Sequence, residues 1–339
     1  MGQGLNILEI EITNVCNLRC AYCYLEKPTR DYMSLDTFKK ALLEARSMEV
    51  PMIVITGGEP LLHPQFKEII HELNKGEFSV KVLQTNGTLI NKDNLNLLKI
   101  FNIIQIGYDV PPPKGARSKP DFNDIIREKI ELLKSVNIEH VVLFITLHKR
   151  NVKYLDEFIS QSEQWNVGMG FNFIIPAGRA KQHPELWLSR EEFIFTLSKL
   201  WGYYLKKKVS RPSDPLSIIY YKALQKKALK ERHRIVGGCM AGISSLSITP
   251  EGSAVPCPFL RIPIGNINER KLKDIWNTNP VLDILRSRRF KGKCSNCEFI
   301  NACGGCRARA YHLKGSLNDD DPYCPRGEIS EDPFKARRL

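Results

Sequence analysis

An alternation running from Leu5 to about Pro176 constrains the fold more than any other feature of the chain. Six short apolar runs, at 7–12, 52–56, 80–83, 103–106, 140–145 and 170–175, are separated by longer amphipathic stretches. Runs this short read as strands and the stretches between them as helices. Over 34–48, for example, Leu35, Phe38, Leu42 and Ala45 share one face behind a Ser34 cap. Similar stretches cover 64–74, 92–99, 122–136 and 152–164. Six strand–helix repeats predict a parallel α/β sheet with right-handed crossovers. Chemistry in such sheets collects at the C-terminal ends of the strands, so the residues just after each strand are the candidate site.

The cysteines follow a second pattern. Three of the ten lie at 16–23 and seven lie from 239 onward, with none between. The N-terminus shows no basic region followed by an apolar stretch, so no signal peptide is expected. The expected compartment is the reducing cytoplasm, where clustered cysteines serve as metal ligands or redox centres rather than disulfides. Apolar strings such as 141–147 fall far short of the ~20 residues a membrane span needs. With 339 residues, 42% of them hydrophobic and 26% charged, the chain is too long and too apolar for a disordered or disulfide-stapled class. About two domains are expected. The formal charge, 50 − 37 = +13, fits an acidic partner such as nucleic acid or a carboxylate-rich ligand. It fits a lysine-rich solvated surface equally well.

Directly after the first strand, Thr13-Asn14-Val15-Cys16-Asn17-Leu18-Arg19-Cys20-Ala21-Tyr22-Cys23-Tyr24 carries the spacing C-x₃-C-x₂-C. Three thiolates on one loop can hold three corners of an iron–sulfur cube and leave one iron open to a ligand. The alternative is a zinc site that borrows a fourth ligand. The second strand ends in Thr56-Gly57-Gly58-Glu59-Pro60 and the third in Gln84-Thr85-Asn86-Gly87. Paired glycines let backbone approach closely, and a carboxylate can hold an ammonium through a charge-assisted bond.

Together these motifs resemble the radical S-adenosylmethionine (SAM) superfamily. The resemblance implies a partial (β/α)₆ barrel with a [4Fe–4S] cluster on Cys16, Cys20 and Cys23, whose fourth iron chelates SAM. Reductive cleavage of SAM then gives a 5′-deoxyadenosyl radical that abstracts a hydrogen atom from substrate. By the same resemblance, the turn of Gly57, Gly58, Glu59 and Pro60 receives the SAM amino group and Tyr22 lies against the adenine. Asn86 belongs to a further signature, and Arg179, in Pro176-Ala177-Gly178-Arg179-Ala180, lies near the adenosine. The fourth strand departs from the pattern: Gly107-Tyr108-Asp109-Val110 keeps Asp109, a candidate catalytic residue, but lacks the small hydroxyl residue expected at the ribose.

From Gly237 the texture turns to Gly, Pro and Cys. Cys294-x₂-Cys297 and Cys303-x₂-Cys306 lie only five residues apart, whereas a zinc ribbon spaces its pairs by ~15–20. With Cys239, Cys257 and Cys324, this layout resembles the SPASM extension of radical SAM enzymes, which implies one or two auxiliary [4Fe–4S] clusters. Cys294, Cys297, Cys303 and Cys324 would bind an outer cluster, and Cys239, Cys257 and Cys306 an inner one with an open or differently ligated iron. The C-x₂-C at Cys303–Cys306 is one residue shorter than the usual spacing. Pro256-Cys257-Pro258-Phe259-Leu260 and Cys303-Gly304-Gly305-Cys306-Arg307 look like the branch holding haem-pathway decarboxylases, haem d₁ maturation enzymes and peptide maturases.

The implied organisation is a radical SAM barrel at 1–180, a helical linker region at 181–236 that opens on a Ser189/Glu192 capping box, a SPASM domain at 237–326 and a loose tail at 327–339. Expected partners are an electron donor such as ferredoxin or flavodoxin and an acidic small-molecule, tetrapyrrole or peptide substrate, with nucleic acid still open. Two rivals from other classes are a metal-stabilised RNA-binding module and a non-catalytic iron–sulfur electron carrier. Neither accounts for the GGEP turn beside the three-cysteine loop.

Overall fold

A computed structural model of the chain describes residues 4–26, 31–109, 122–138, 140–224 and 238–326. In β1 (Ile7–Thr13), Leu8, Ile10 and Ile12 are fully buried. Glu9, Glu11 and Thr13 take the opposite face, as a strand's period of two requires. β2 (Met52–Gly57), β3 (Val80–Thr85), β4 (Ile103–Tyr108), β5 (His140–Leu147) and β6 (Gly168–Phe173) follow in sequence order, every pair parallel. The crossover helices are α1 (Leu35–Ser47), α2 (Phe66–Asn74), α3 (Leu95–Leu98), α4 (Phe122–Ser135) and α5 (Leu155–Trp165). Phe38 and Leu42 of α1, Ile69 of α2, Ile130 of α4 and Phe158 of α5 join Leu8, Ile10 and Ile12 in one apolar core.

Ser34 caps α1 as its sequence predicts, accepting from Thr37 N at 3.1 Å. The helix expected over 92–99 shrinks to α3, because Asn91 and Asn94 wrap the preceding chain in side-chain turns. Asn94 Oδ1 accepts from Asn91 N at 3.0 Å, and Asn91 Oδ1 from Asp93 N at 2.9 Å.

The cysteine-rich segment does not build its own sheet. β7 (Ser245–Ile248) pairs in parallel with β1, and β8 (Ser253–Val255) and β9 (Gly265–Asn266) follow antiparallel, giving one nine-stranded sheet. This pairing covers the open edge of β1, which would otherwise expose a row of unpaired backbone groups.

The remaining helices are α6 (Arg190–Leu205), α7 (Ser217–Leu224), α8 (Leu272–Asn277), α9 (Pro280–Ser287) and α10 (Arg307–Lys314). α6 begins with the predicted capping box. Among the described residues no helix is long and apolar enough to cross a membrane. The Pro-rich stretch 110–120, residues 225–236 of the linker region and the tail at 327–339 lie outside the described residues.

The sheet face opposite the helices is polar. Register carries the inner row from Glu11 to Thr56, and Gln84 pairs with Gln105. Thr56 donates to Gln84 Oε1 at 2.9 Å, and Gln84 Nε2 to Gln105 Oε1 at 3.0 Å. Gln84, Gln105, Gly107, Phe144 and Thr146 on this face are half-buried, while their outward neighbours on the same strands are buried. The inner face therefore borders open space.

Candidate active site

The three-cysteine loop leaves the C-terminal end of β1 and is clamped from two sides. On one side Gly58 N donates to Thr13 O and Glu59 N to Val15 O, both at 2.7 Å. A Cβ on Gly57 would collide with the Thr13 carbonyl, and one on Gly58 with the Val15 carbonyl. The paired glycines are thus needed for the turn to approach β1. On the other side Ala180 N donates to Cys23 O, Arg179 N to Leu25 O and Arg179 Nε to Cys20 O. Gly178, at φ +55, could not carry a Cβ without striking the Tyr24 carbonyl. Arg179 therefore holds the cysteine loop in place.

Asn86, at the end of β3, completes the enclosure. Its Nδ2 donates to Asn17 Oδ1 at 2.8 Å and stands 3.8 Å from Cys16 Sγ. Burial pushes the Cys16 thiol up to about 11, with Glu59, Cys20 and Cys23 adding to the rise.

Glu59 is enclosed at the end of the β2 turn. It is 0% exposed. Its Oε1 accepts from the Thr85 hydroxyl at 2.7 Å and from Leu61 N at 3.1 Å, and its Oε2 accepts from Asn86 N at 2.7 Å. The carboxylate binds the β2 turn to the β3 end. Glu59→Gln replaces one acceptor oxygen with an NH₂ facing a donor. The expected loss is ~1–3 kcal/mol of unfolding free energy for a buried group left unpaired, with weaker SAM binding following from the disturbed turn. Denaturant titration checks this, and an unchanged midpoint would refute it.

Asp109 is likewise enclosed, at 1% exposed. Its oxygens meet His148 Nε2 at 3.3 Å and Asn151 Nδ2 at 2.9 Å. His148 Nδ1 accepts from Arg150 N, which leaves the ring proton on Nε2 facing the carboxylate. The His148 ring in turn stacks on Tyr22, centroids 5.2 Å apart and planes at 28°. In this structure Asp109 reaches the site through His148 and Tyr22 rather than directly. Sequence reasoning missed His148 and Asn151, although both follow β5 and the strand-end rule pointed to that position.

The later thiols fall into two neighbourhoods. Burial raises the Cys257 thiol well above its ordinary value, and Cys239, Cys306 and Glu9 add to the rise. Cys294, Cys297, Cys303 and Cys324 line one small cavity, together with Leu216 and Ile219. All ten cysteines are free thiols. Among the described residues no three His, Cys, Asp or Glu side chains converge on a single metal ion.

Sets of three, three and four thiols in part-buried pockets suit four-iron clusters, whose ligands are spread over the corners of a cube. Burial raises the Cys294 and Cys324 thiols and pushes Cys306 up to about 12. Iron bound there would supply the positive charge that makes thiolates tenable.

Sequence reasoning also missed a charged group on the inner face. Arg261 Nη1 donates to both oxygens of the fully buried Glu11, at 2.8 and 2.9 Å. Its carbon lies 5.9 Å from the centroid of the Tyr24 ring, next to Cys23. Ser247 of β7 donates to Glu9 Oε2 at 3.0 Å, while burial pushes Glu9 up to about 7. The available signal was the alternation Leu-Glu-Ile-Glu-Ile-Thr over residues 8–13 of β1, which places two carboxylates on one face of a central strand.

Residues 10–161 match the radical SAM superfamily, and residues 239–298 match SPASM, an iron–sulfur cluster-binding domain. The chain is 27% identical over 344 residues to the AdoMet-dependent heme synthase of Oleidesulfovibrio alaskensis, covering 95% of the chain and 88% of that protein. It is 25% identical over 342 residues to the mycofactocin maturase MftC of Mycobacterium tuberculosis, covering 97% and 85%. Its fold superimposes on Streptococcus suis SuiB, crystallised with its precursor peptide SuiA, with a TM-score of 0.77 at 16% identity, over 95% of the chain and 76% of SuiB. The GGEP turn clamped on a three-cysteine loop at the end of β1, with the thiol-lined pockets of the later segment, thus belongs to a radical SAM enzyme of the SPASM type, which binds SAM, a [4Fe–4S] cluster and iron–sulfur in its C-terminal part.

Proposed function

We propose that the chain is a maturase or decarboxylase that cleaves SAM reductively and abstracts a hydrogen atom from a carboxylate-bearing substrate held against the inner face of the sheet. The observation that carries this reading is the enclosure of Cys16, Cys20 and Cys23 between the β2 turn and the 178–180 turn, at the rim of that open polar face. When bound, the cluster and SAM supply one-electron cleavage of SAM to methionine and a 5′-deoxyadenosyl radical.

The chain's own residues position those groups. Cys16, Cys20 and Cys23 hold the cluster, and Gly57, Gly58 and Pro60 shape the turn beside the SAM amino group. Tyr22, backed by His148 and Asp109, packs on the adenine, and Arg179 keeps the loop closed. Two auxiliary clusters follow from the later thiols, on Cys239, Cys257 and Cys306 and on Cys294, Cys297, Cys303 and Cys324. Electrons come from a ferredoxin or flavodoxin in the cytoplasm.

For the substrate, Arg261 is 30% exposed and bonds only through Nη1 among the described residues. Its remaining donors form a fork suited to a carboxylate. A tetrapyrrole propionate fits this chemistry and the heme synthase likeness; a peptide carboxylate fits the maturase likeness. The test is mass spectrometry of 5′-deoxyadenosine and product after anaerobic reduction with SAM. One arm contains a propionate-bearing iron porphyrin and the other an acidic peptide. No 5′-deoxyadenosine from a protein with full iron content would reject the reading.

A further inference from the structure

We propose that Arg307 hydrogen-bonds the outer auxiliary cluster and raises its reduction potential. This rests on the reading that Cys294, Cys297, Cys303 and Cys324 hold that cluster.

Arg307 opens α10 one residue after Cys306 and is 1% exposed. Its Nη1 donates to the carbonyls of Leu317 at 2.8 Å and Asp319 at 2.6 Å, and the Phe290 ring lies 4.0 Å from its carbon. The guanidinium is thus locked on one edge and one face. Its Nε and Nη2 are buried and have no hydrogen-bond partner.

A buried cation normally carries a carboxylate, since stripping its water is otherwise costly. Arg309, two residues on and equally buried, shows the usual arrangement. Asp321 takes two of its nitrogens, at 2.8 and 2.6 Å, and Asp214 a third at 2.9 Å. Among the described residues no carboxylate forms an ion pair with Arg307; Asp321, beside Gly305, is bonded to Arg309 instead.

The unsatisfied edge lies beside a wall of the thiol pocket formed by Gly305 and Asp321. Gly305 lines the cavity that holds the four cysteines, and a Cβ there would come within 2.9 Å of Arg307 Nη2. The Arg307 charge also acts on the Cys294 thiol, opposing the effect of burial. Arg288 adds a second, half-buried cation on this side, its guanidinium beside Gly304 of the same cavity wall.

An oxidised four-iron core of about 2+ on four thiolates leaves a net charge of about 2−, and reduction adds one more negative charge. Its sulfurs are acceptors, so the cluster supplies both the counter-charge and the hydrogen-bond partners that Arg307 lacks. Donors and positive charge favour the more anionic state, which places the potential higher than the same cluster would have without them.

The test is an EPR-monitored redox titration of the reconstituted holoenzyme, with iron and sulfide analysis, on Arg307→Met, Arg307→Gln and Arg307→Lys. The midpoint followed is one whose signal does not respond to SAM. A neutral variant that keeps full iron content should show one such midpoint at lower potential and the other unmoved. Loss of about four iron from both neutral variants, with Arg307→Lys at full content, would also bear the proposal out, since the cluster then requires the cation. An unchanged midpoint in a neutral variant with full iron overturns it. So does loss of the cluster from all three variants, which is what a purely structural arginine would give. A wild type with no outer cluster, at about eight iron instead of about twelve, removes the underlying reading as well. An unmoved midpoint at about twelve iron removes this proposal alone.

Discussion

Replacing Cys16, Cys20 and Cys23 together by alanine should abolish 5′-deoxyadenosine formation while leaving about eight of about twelve iron and sulfide, the content of two four-iron cubes out of three. The three thiols sit on one loop at the C-terminal end of β1, closed in by backbone from β2 and from residues 178–180. None of them is among the thiols that line the outer pocket or act on Cys257. Losing them should therefore leave the later sites intact, along with the folding energy that metal binding contributes there. Anaerobic iron and sulfide analysis with mass spectrometry of 5′-deoxyadenosine checks both halves. Retained SAM cleavage would sink the assignment of the loop. A residue of about four iron would mean that the later cysteines hold a single cluster.

Gly58→Ala should be nearly as damaging, although it removes no ligand. The added methyl meets the Val15 carbonyl and the Asn14–Val15 peptide, which are backbone and cannot rotate away as a side chain would. The same backbone receives the Glu59 N–H, and Cys16 follows immediately. Either the β2 turn lifts or the cysteine loop shifts. Overpacking of this kind costs about 1–3 kcal/mol, so SAM affinity should fall by about one to two decades on that scale, with a lowered unfolding midpoint. Gly202→Ala is the internal control. It lies inside α6, and a Cβ there meets nothing within 4 Å, so the helix should tolerate it or gain up to about 1 kcal/mol. Calorimetric SAM titration of the reconstituted proteins distinguishes the two. Equal affinities would show that the close approach of the GGEP turn has no bearing on the site.

Much of the architecture was legible because its signals are local. Six apolar runs at strand length, with helical periodicity between them, led to β1–β6 and five crossover helices, and Ser34 and Ser189 marked two helix starts correctly. The cysteine loop and the GGEP and TNG turns could be read because each is a contiguous string at a strand end. The helix at 92–99 was overestimated, because apolar spacing does not reveal that Asn91 and Asn94 bind backbone groups nearby. Glu59 was identified from its motif, but its neighbours were not. Residue type permits a carboxylate to hold an ammonium, and only the tertiary structure shows that it also bonds Thr85, Asn86 and Leu61.

By itself the sequence determined the alternating α/β order, the three-thiol loop and the chemistry to which those thiols are suited, since periodicity and contiguous spacing act over a few residues. Only the tertiary structure decided which distant segments share a site. It added β7 to the open edge of β1, so that the cysteine-rich segment extends the barrel sheet. It brought Arg261 onto Glu11 across 250 positions of sequence, and Cys239 beside Cys257 and Cys306. It also buried Arg307 with no ion-paired carboxylate among the described residues while giving Arg309 two. Whether a charge is paired, spent or left open depends on what the fold packs against it. That energy is set by desolvation and partner geometry, which no local pattern encodes.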